Sequence, residues 1–395
     1  MKIAITSDYH LGYSEDALAQ TAKILETARQ MSDVVIAAGD LFDVRVPKQE
    51  VLNDAIKLFK THREATTASA AKITISVEKN NRTYPNMPVI AIPGTHERRT
   101  KGLVNAIDVL DSAGVLINCH NKHVIVKKEA ENERVAIIGM AGVPEEYAGD
   151  VIKAAGFAPL PDCFNIFMFH QTIKEIIPMN DIFMTCDDLP KGFDLYVNGH
   201  IHWKRDIKFG KNTLLIPGSA VITQMKKNEM EKKGFWLYDT ITRTYEFIYI
   251  DSRPFIYREL VFENATVEQV KSAIAKIITD VSQDLKKPLV KLKLRGSLAS
   301  DGLNASAIDA NAIAVGFANA EVYIDKEFEV ADNLRDKIEL IRKLKTEEKS
   351  VSEIGNAVLK EKLRKNKSQL VNDEELFSLL AEGEIEKAML LVKKS

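Results

Sequence analysis

Apolar positions along this chain gather into short runs separated by polar, glycine-bearing breaks. KIAITSD, DVVIAAGD, PVIAIPGTHE, FNIFMFH and FDLYVNGHIH each carry roughly five apolar residues and stop at or just before an acid, hydroxyl or imidazole side chain. Such a run predicts a strand in the middle of a sheet, covered on both faces, whose carboxyl end opens into a loop. Between the first two runs the period changes. Leu18, Ala22, Leu25 and Ala28 share one helical face behind Ser14, the expected N-cap, so the chain starts strand, helix, strand into Val34–Asp40. A second helix is expected after Pro47.

From Thr61 to Pro88 the sequence is polar, and KITISVEK and RTYPNMPV around Asn80-Asn81 predict a hairpin-like insertion. Residues Val89 to Asp251 read mostly as strands, ending in NTLLIPGSA, GFWLYDT and TYEFIYID with the look of an antiparallel meander. Two sheets faced by helices accommodate this. Arg253-Pro254 breaks the pattern. A strand, a helix over Val267–Thr279, the strand PLVKLKLRG, another helix and AEVYID then predict a small α+β module. After Val330 the chain becomes rich in Lys, Glu and Leu. Asp373 is a candidate N-cap, and Leu376, Phe377, Leu379, Leu380 and then Ile385, Met389 and Val392 lie on two short helices around Gly383. The predicted domains are 1–252, 253–330 and 331–395, without internal repeats.

A chain of 395 residues exceeds one ordinary core, and 45% hydrophobic content supports globular burial. The formal net charge of −2 excludes a uniformly basic nucleic-acid binder, so any such contact must come from local patches. The three cysteines, Cys119, Cys163 and Cys186, lack CxxC spacing and read as core residues in a reducing interior. The sequence opens directly on a strand, and no run approaches the ~20 apolar residues of a membrane span. The expectation is a soluble, intracellular protein of cytoplasm or nucleoid, with no membrane partner.

Candidate chemistry lies at the ends of the apolar runs: Asp8-Tyr9-His10, Gly39-Asp40, Gly94-Thr95-His96-Glu97, His170 and Gly199-His200-Ile201-His202, followed by the Pro217-Gly218-Ser219 turn. In open α/β sheets ligands collect beyond the carboxyl ends of strands, so residues nearly two hundred positions apart can converge. Five of the eight histidines fall in this set, whereas His62, His120 and His123 lie outside it and receive no function. Taken singly, each would be an ordinary hydrogen-bonded histidine. As an ordered set they point to metal. A carboxylate such as Asp40 can bridge two cations, while Asp8 and neutral imidazoles complete mixed N/O shells suited to manganese, iron or zinc. Two ions roughly 3.5–4 Å apart would generate a hydroxide and neutralise both oxygens of a phosphodiester displacement. His96, next to the candidate ligand Thr95, could protonate the leaving oxygen or else support the ligands from behind. Gly39, Gly94 and Gly199 allow tight turns beside ligands, and a carbonyl of the 217–219 turn could orient a ligand histidine.

DYHLGY, GDLFD, GTHERR, FHQT, DDLPKGFDLYVNGHIH, IPGS and the later RPF resemble the double-strand-break repair nuclease family named meiotic recombination eleven, within the calcineurin-like metallophosphoesterases. The resemblance covers roughly residues 1 to 330. It implies an α/β fold: a two-sheet metallophosphoesterase sandwich flanked by helices, with a small α+β capping domain and a C-terminal helical segment. It also implies a homodimeric DNA exo- and endonuclease with two Mn2+ per chain that processes DNA ends with a Rad-fifty type ABC ATPase. Carried residue by residue, Asp8, His10 and His202 hold the first metal, Asp40 bridges, His170 and His200 hold the second, and His96 is catalytic. The family's remaining ligand is an asparagine, and here that place is Thr95. Its shorter, poorer hydroxyl implies weaker or water-mediated binding of the second ion. Glu97 stands where the family has aspartate, and Asp43 where some members have histidine, which implies phosphate repulsion and an altered exo/endo balance.

DNA contacts are expected from Arg98, Arg99, Lys101, Lys204 and Arg205, which would give affinity without sequence information. The 253–330 module corresponds to the family's cap over DNA, and the helices of 331–395 to its ATPase-docking segment. Two alternatives stay open, because metal motifs alone do not choose a substrate: a phosphatase or phosphodiesterase acting on small phosphoesters, and a DNA-end scaffold whose turnover is lost through Thr95.

Overall fold

The structure, a computed structural model, describes residues 1–65, 73–77, 88–100, 102–177, 184–281, 287–299, 308 and 319–329. The expected turn at Asn80-Asn81, Lys101, the helix expected before AEVYID and the helices of 331–395 lie outside them. The chain divides into two compact units, one of Met1–Arg258, Ile274–Lys293 and Ala310–Asp325, the other of Glu259–Ala273, Leu294–Asp309 and the chain from Lys326 onward.

In chain order the elements of the first half are β1 (Lys2–Thr6), α1 (Glu15–Met31), β2 (Val34–Ala37), α2 (Gln49–Glu64), β3 (Ile73–Val77), β4 (Val89–Ala91), α3 (Ala106–Ser112), β5 (Leu116–Asn118), β6 (Val124–Lys128), β7 (Glu133–Met140), α4 (Ala148–Ala155) and β8 (Phe164–Phe169). Then come β9 (Leu195–Asn198), β10 (Arg205–Phe209), β11 (Asn212–Ile216), β12 (Gly234–Asp239), β13 (Tyr245–Tyr249), β14 (Phe255–Ala265), α5 (Val267–Val281), β15 (Leu289–Leu298) and β16 (Glu321–Glu329).

One sheet has the order β13-β12-β1-β2-β4-β5 and a second the order β10-β11-β9-β8-β7-β6-β3. The middle of each is parallel: β1, β2, β4 and β5 in the first, β7, β8, β9 and β11 in the second. Parallel strands are covered on both faces, which is why the sequence shows unbroken apolar runs instead of alternation. Ile3, Ile5, Ile36 and Ile90 of the first sheet share one core with Ile137, Ile166, Met168 and Val197 of the second. The opposite face of the first sheet packs Ala4, Val35 and Ala37 against Ile24 and Ala28 of α1, Phe59 of α2 and Leu110 of α3. Phe167, Phe169 and Tyr196 cover the outer face of the second with Ala148 and Ile152 of α4. The layers therefore run helix, sheet, sheet, helix, as expected.

Two local expectations are corrected. On α1 the buried face is Ala17, Gln20, Thr21, Ile24, Leu25 and Ala28, while Leu18 is exposed and the Ser14 side chain makes no capping bond. The sheet takes the stripe whose small residues let the helix approach. Among the described residues strand β3 pairs antiparallel with β6, and the second arm of the expected hairpin falls largely outside them. The expected meander is split, because β11 belongs to the second sheet whereas β12 and β13 form an antiparallel pair on the first. The loop between them crosses from one sheet to the other.

A third sheet has the order β14-β15-β16, with α5 between its first two strands in sequence. Within the second unit, Arg295 of β15 pairs with Glu259 and, at 2.9 Å, with Glu327.

Candidate metal centre

The carboxyl ends of β1, β2, β4, β8 and β9 deliver the motif residues to one place, and the loops that carry them bond to one another. Asp8 N–H donates to the Gly39 carbonyl at 2.9 Å, His10 N–H to Asp40 at 3.1 Å, Gly199 N–H to Phe169 at 3.0 Å, and Ala220 N–H to Asp8 at 3.0 Å. Asp8, His10, Asp40 and His200 all have left-handed backbones, with φ of 52°, 48°, 50° and 71°. A non-glycine residue there is strained by about 1–3 kcal/mol, a conformation kept only where neighbours over-determine it. The flanking glycines are needed for closeness. A Cβ on Gly199 would overlap the Ala38 carbonyl, the Ser7 hydroxyl and the His170 ring, and one on Gly94 would overlap Asp40.

Besides a group of His10, Asp43 and His96, two clusters of ligand atoms result, Asp8 with His10 and His202, and Asp40 with His170 and His200, each with its atoms within 4.8 Å of one another. They share a wall, since His200 N–H donates to both oxygens of Asp8 at 3.1 and 3.2 Å. Asp8, His10, Asp40, His170 and His202 are buried, whereas the side chains of His200 and His96 are 30% and 40% exposed, leaving an open side.

Hydrogen bonding tests whether these residues fit a cation. His170 Nδ1 lies 2.6 Å from the Ala38 carbonyl, which can only accept, so Nδ1 carries the hydrogen. Unless a proton sits on it, its Nε2 is a bare lone pair, buried 3.0 Å from Asp40 Oδ2. His10 Nδ1 likewise meets Asp43 Oδ1 at 3.2 Å, and its Nε2 faces His202 Nε2 at 3.3 Å. Without protons these facing acceptors would repel in a buried site unless a cation lay between them. Ligand atoms ~2.1 Å from one ion stand about 3.0 Å apart at a right angle and about 3.4 Å at the tetrahedral angle. The facing pairs match that range.

Ionisation carries the same signature. Burial pulls the His170 pKa down, but Asp40 and Asp8 outweigh it and raise it to about 10. His10 is also raised despite burial, by Asp43 and Asp8. In each cluster the carboxylates thus favour positive charge at one imidazole, His170 or His10. Burial, followed by neighbouring His170 for His200 and by His10 and Lys233 for His202, lowers these two to about 4 and about 2, so both are neutral at pH 7. Burial and Asp40 raise Asp8 to about 6, against His170. Asp40 itself is held far below the carboxylate range, because His170 and His96 overcome its burial.

Thr95 lies beside the second cluster, its hydroxyl donating to Asp40 Oδ2 at 3.2 Å. His96 donates its backbone N–H to Asp40 Oδ1 at 2.8 Å, bonds through Nδ1 to the Asp43 carbonyl, and holds Nε2 4.0 Å from Asp40 Oδ2. Arg98 and Arg99 follow on the same loop, half-buried. Lys204 is committed elsewhere: its amine donates to Tyr249 Oη at 2.6 Å and lies over the Phe247 and Tyr249 rings, while Arg205 beside it is exposed.

The sequence reading missed three supports. Glu97, with no exposed surface, accepts N–H groups from Asp40 (3.1 Å), Gly94 (2.7 Å) and Phe42 (2.7 Å), tying two ligand loops together. Asn198 exchanges hydrogen bonds with the Gln171 backbone at 3.0 and 2.8 Å, joining the ends of β8 and β9. Thr223 Oγ1 bonds to His202 Nδ1. The 217–219 turn therefore does not orient the His202 ring through a carbonyl. Ser219 instead donates its N–H to the His202 carbonyl at 3.2 Å.

Two clustered sets of aspartate and histidine at the parallel ends of a double sheet define a metal-dependent phosphoesterase scaffold. Residues 1–240 match the calcineurin-like phosphoesterase superfamily domain, and the chain belongs to that superfamily. It is 28% identical over 320 residues to the double-strand break repair protein MRE11 of Encephalitozoon cuniculi, across 75% of this chain and 53% of that protein. To the DNA double-strand break repair protein Mre11 of Saccharolobus solfataricus it is 26% identical over 363 residues, 85% of each chain. To that of Sulfolobus acidocaldarius it is 26% identical over 318 residues, 75% of this chain and 76% of the other. The chain thus spans about half the first relative and most of the other two, and the resemblance read from the motifs is borne out.

Proposed function

We propose that the chain is a manganese-dependent DNA nuclease that processes double-strand breaks. In this reading Asp8, His10 and His202 hold one ion, His170 and His200 the other, and Asp40 both, with Thr95 a weak further ligand. Two such ions would supply an activated water and offset charge on the displaced oxygens. His96 is the proton donor. The Asp43 carbonyl can only accept, so His96 keeps a hydrogen on Nδ1, and its imidazolium form carries the second on Nε2, at the open side where a leaving oxygen would arrive. Arg98, Arg99 and Arg205 would hold the phosphate backbone, joined by Lys101 and by Lys204 once it leaves Tyr249. The buried, facing imidazoles and carboxylates of the two clusters, spaced as ligands of one ion would be, carry the reading.

The partner reading follows the resemblance read from the motifs: DNA ends, a Rad-fifty type ATPase bound by 331–395, a cap formed by 253–330, and a homodimer. Val44 and Val46, at 48% and 66% exposure, and Leu103 and Val104, at 54% and 64%, support self-association. They flank the two ligand loops that the His96–Asp43 bond joins. Labelled duplex and single-stranded DNA, incubated with Mn2+, Mg2+ or chelator, tests the activity. We expect cleavage with Mn2+, none with chelator, and a loss of at least tenfold in His96→Gln. Phosphate release from small phosphoesters without DNA cleavage would overturn it.

Thr95 favours one second reading, a DNA-end scaffold with little turnover, because its hydroxyl proton is engaged by Asp40 and its reach is short. Thr95→Asn should then restore Mn2+-stimulated cleavage. Equal rates in the two proteins would dismiss Thr95 as the limiting feature.

A further inference from the structure

Behind His202, on the side away from the cluster, lies a buried charge pair that the metal chemistry leaves unused. Glu229 is 1% exposed and Lys233 5%. Glu229 accepts the N–H groups of Thr223 at 3.2 Å and Gln224 at 2.8 Å, and the Lys233 ammonium at 3.3 Å. Lys233 also donates to the His202 carbonyl at 3.0 Å and to Ser219 Oγ at 2.9 Å. Burying two charges costs desolvation that an apolar pair would avoid, so their position against a ligand histidine calls for a reason beyond packing.

We infer that Glu229, acting through the hydroxyl of Thr223, fixes the proton of His202 on Nδ1 and so presents Nε2 to the Asp8 cluster as a bare ligand nitrogen. Glu229 is ringed by donors and is therefore an acceptor. The Thr223 hydroxyl lies 3.5 Å from its Oε1 and can direct its hydrogen there. With that hydrogen engaged, Thr223 Oγ1 meets His202 Nδ1 as an acceptor, and Nδ1 must carry a hydrogen. The reverse arrangement, with the hydroxyl donating to Nδ1, would put a hydrogen on Nε2, 3.3 Å from His10 Nε2, and block the ligand lone pair. Metal-bound histidines commonly give their other N–H to a carboxylate or carbonyl, and here a hydroxyl is inserted between the two. Lys233 completes the device, since it holds the His202 backbone from the carboxylate that orients the ring. Thr223 and Glu229 are positioning residues.

The inference rests on the two-cluster metal reading, and its test starts without metal so that the two can fail separately. In the full chain with 15N-labelled histidine, long-range proton–nitrogen correlation reads the His202 tautomer, with the signal assigned by its loss in His202→Gln. Wild type and Thr223→Ser should carry the hydrogen on Nδ1, and Thr223→Val should lose that fixed assignment. Titration of the same proteins, followed by the electron paramagnetic resonance of free Mn2+, should show one class of site weakened about 10–100-fold in Thr223→Val and unchanged in Thr223→Ser. Glu229→Gln should follow Thr223→Val. If it does not fold, the two Thr223 variants still decide. A wild-type His202 protonated on Nε2, a Thr223→Val protein with wild-type tautomer and affinity, equal loss in Thr223→Ser, or a folded Glu229→Gln with the wild-type tautomer would each overturn the relay.

Discussion

At Glu97 a carboxylate shut off from water receives three backbone N–H groups from the loops that carry Asp40 and Gly94. Glu97→Gln keeps the shape but turns one oxygen into an amide that faces a donor, and a buried N–H left unmet costs about 1–3 kcal/mol. We expect a lower unfolding midpoint and weaker Mn2+ binding together, by circular dichroism and metal titration; a wild-type midpoint would remove the clamp. The candidate ligands, which the structure brings together, were legible because each interrupts an apolar run with a side chain that has no place in a core. Glu97, Asn198 and Thr223 were not, because a side chain bonded to nearby backbone or to a ring leaves no spacing in the sequence. Nor did the sequence disclose that Asp8, His10, Asp40 and His200 take left-handed backbones, a conformation imposed by the loops packed around them.

Helices α1 and α2 cover the first sheet, and their contact holds His62, which is 7% exposed. Burial and the charge of Arg29 lower its pKa from 6.5 to about 4. Between those values the unfolded chain binds the proton and the folded chain does not, so the full stability is present above about pH 6.5 and is lost as pH falls toward 4. From pH 7 to pH 5 the loss should be about 2 kcal/mol. Denaturant unfolding of His62→Leu should show a shallower decline over that interval, and an unchanged slope would contradict the buried neutral imidazole. The strand–helix–strand start and the sheet-centre strands could be read from period and run length. The partner of β3 could not, since β6 lies beyond β4, α3 and β5 and an edge strand carries no mark of its neighbour. The α1 stripe was misplaced because Leu18 and Ala17 both fit a helical period, and only contact with the sheet selects the smaller one.

Over the whole molecule, the parallel centres of two sheets bring their carboxyl ends to one shared edge, which is how five loops from β1 to β9 can serve one site. The double sheet followed from the strand count and the helical cover, whereas the division of β11 from β12 between sheets depended on a loop whose path is set by the site itself. If the loops with Val46 and Leu103 are a contact between copies, Val46→Asp with Leu103→Asp should convert a dimer to a monomer in light scattering after gel filtration. A wild-type mass unaffected by the pair would contradict that surface.

Both clusters are expected to bind cations, and anomalous diffraction from crystals grown with Mn2+ measures this directly. Two peaks about 3.5–4 Å apart, one against Asp8, His10 and His202 and one against His170 and His200 with Asp40 between them, are the expected result. A featureless map at these side chains, or His10 and His202 turned away from each other, would contradict the account.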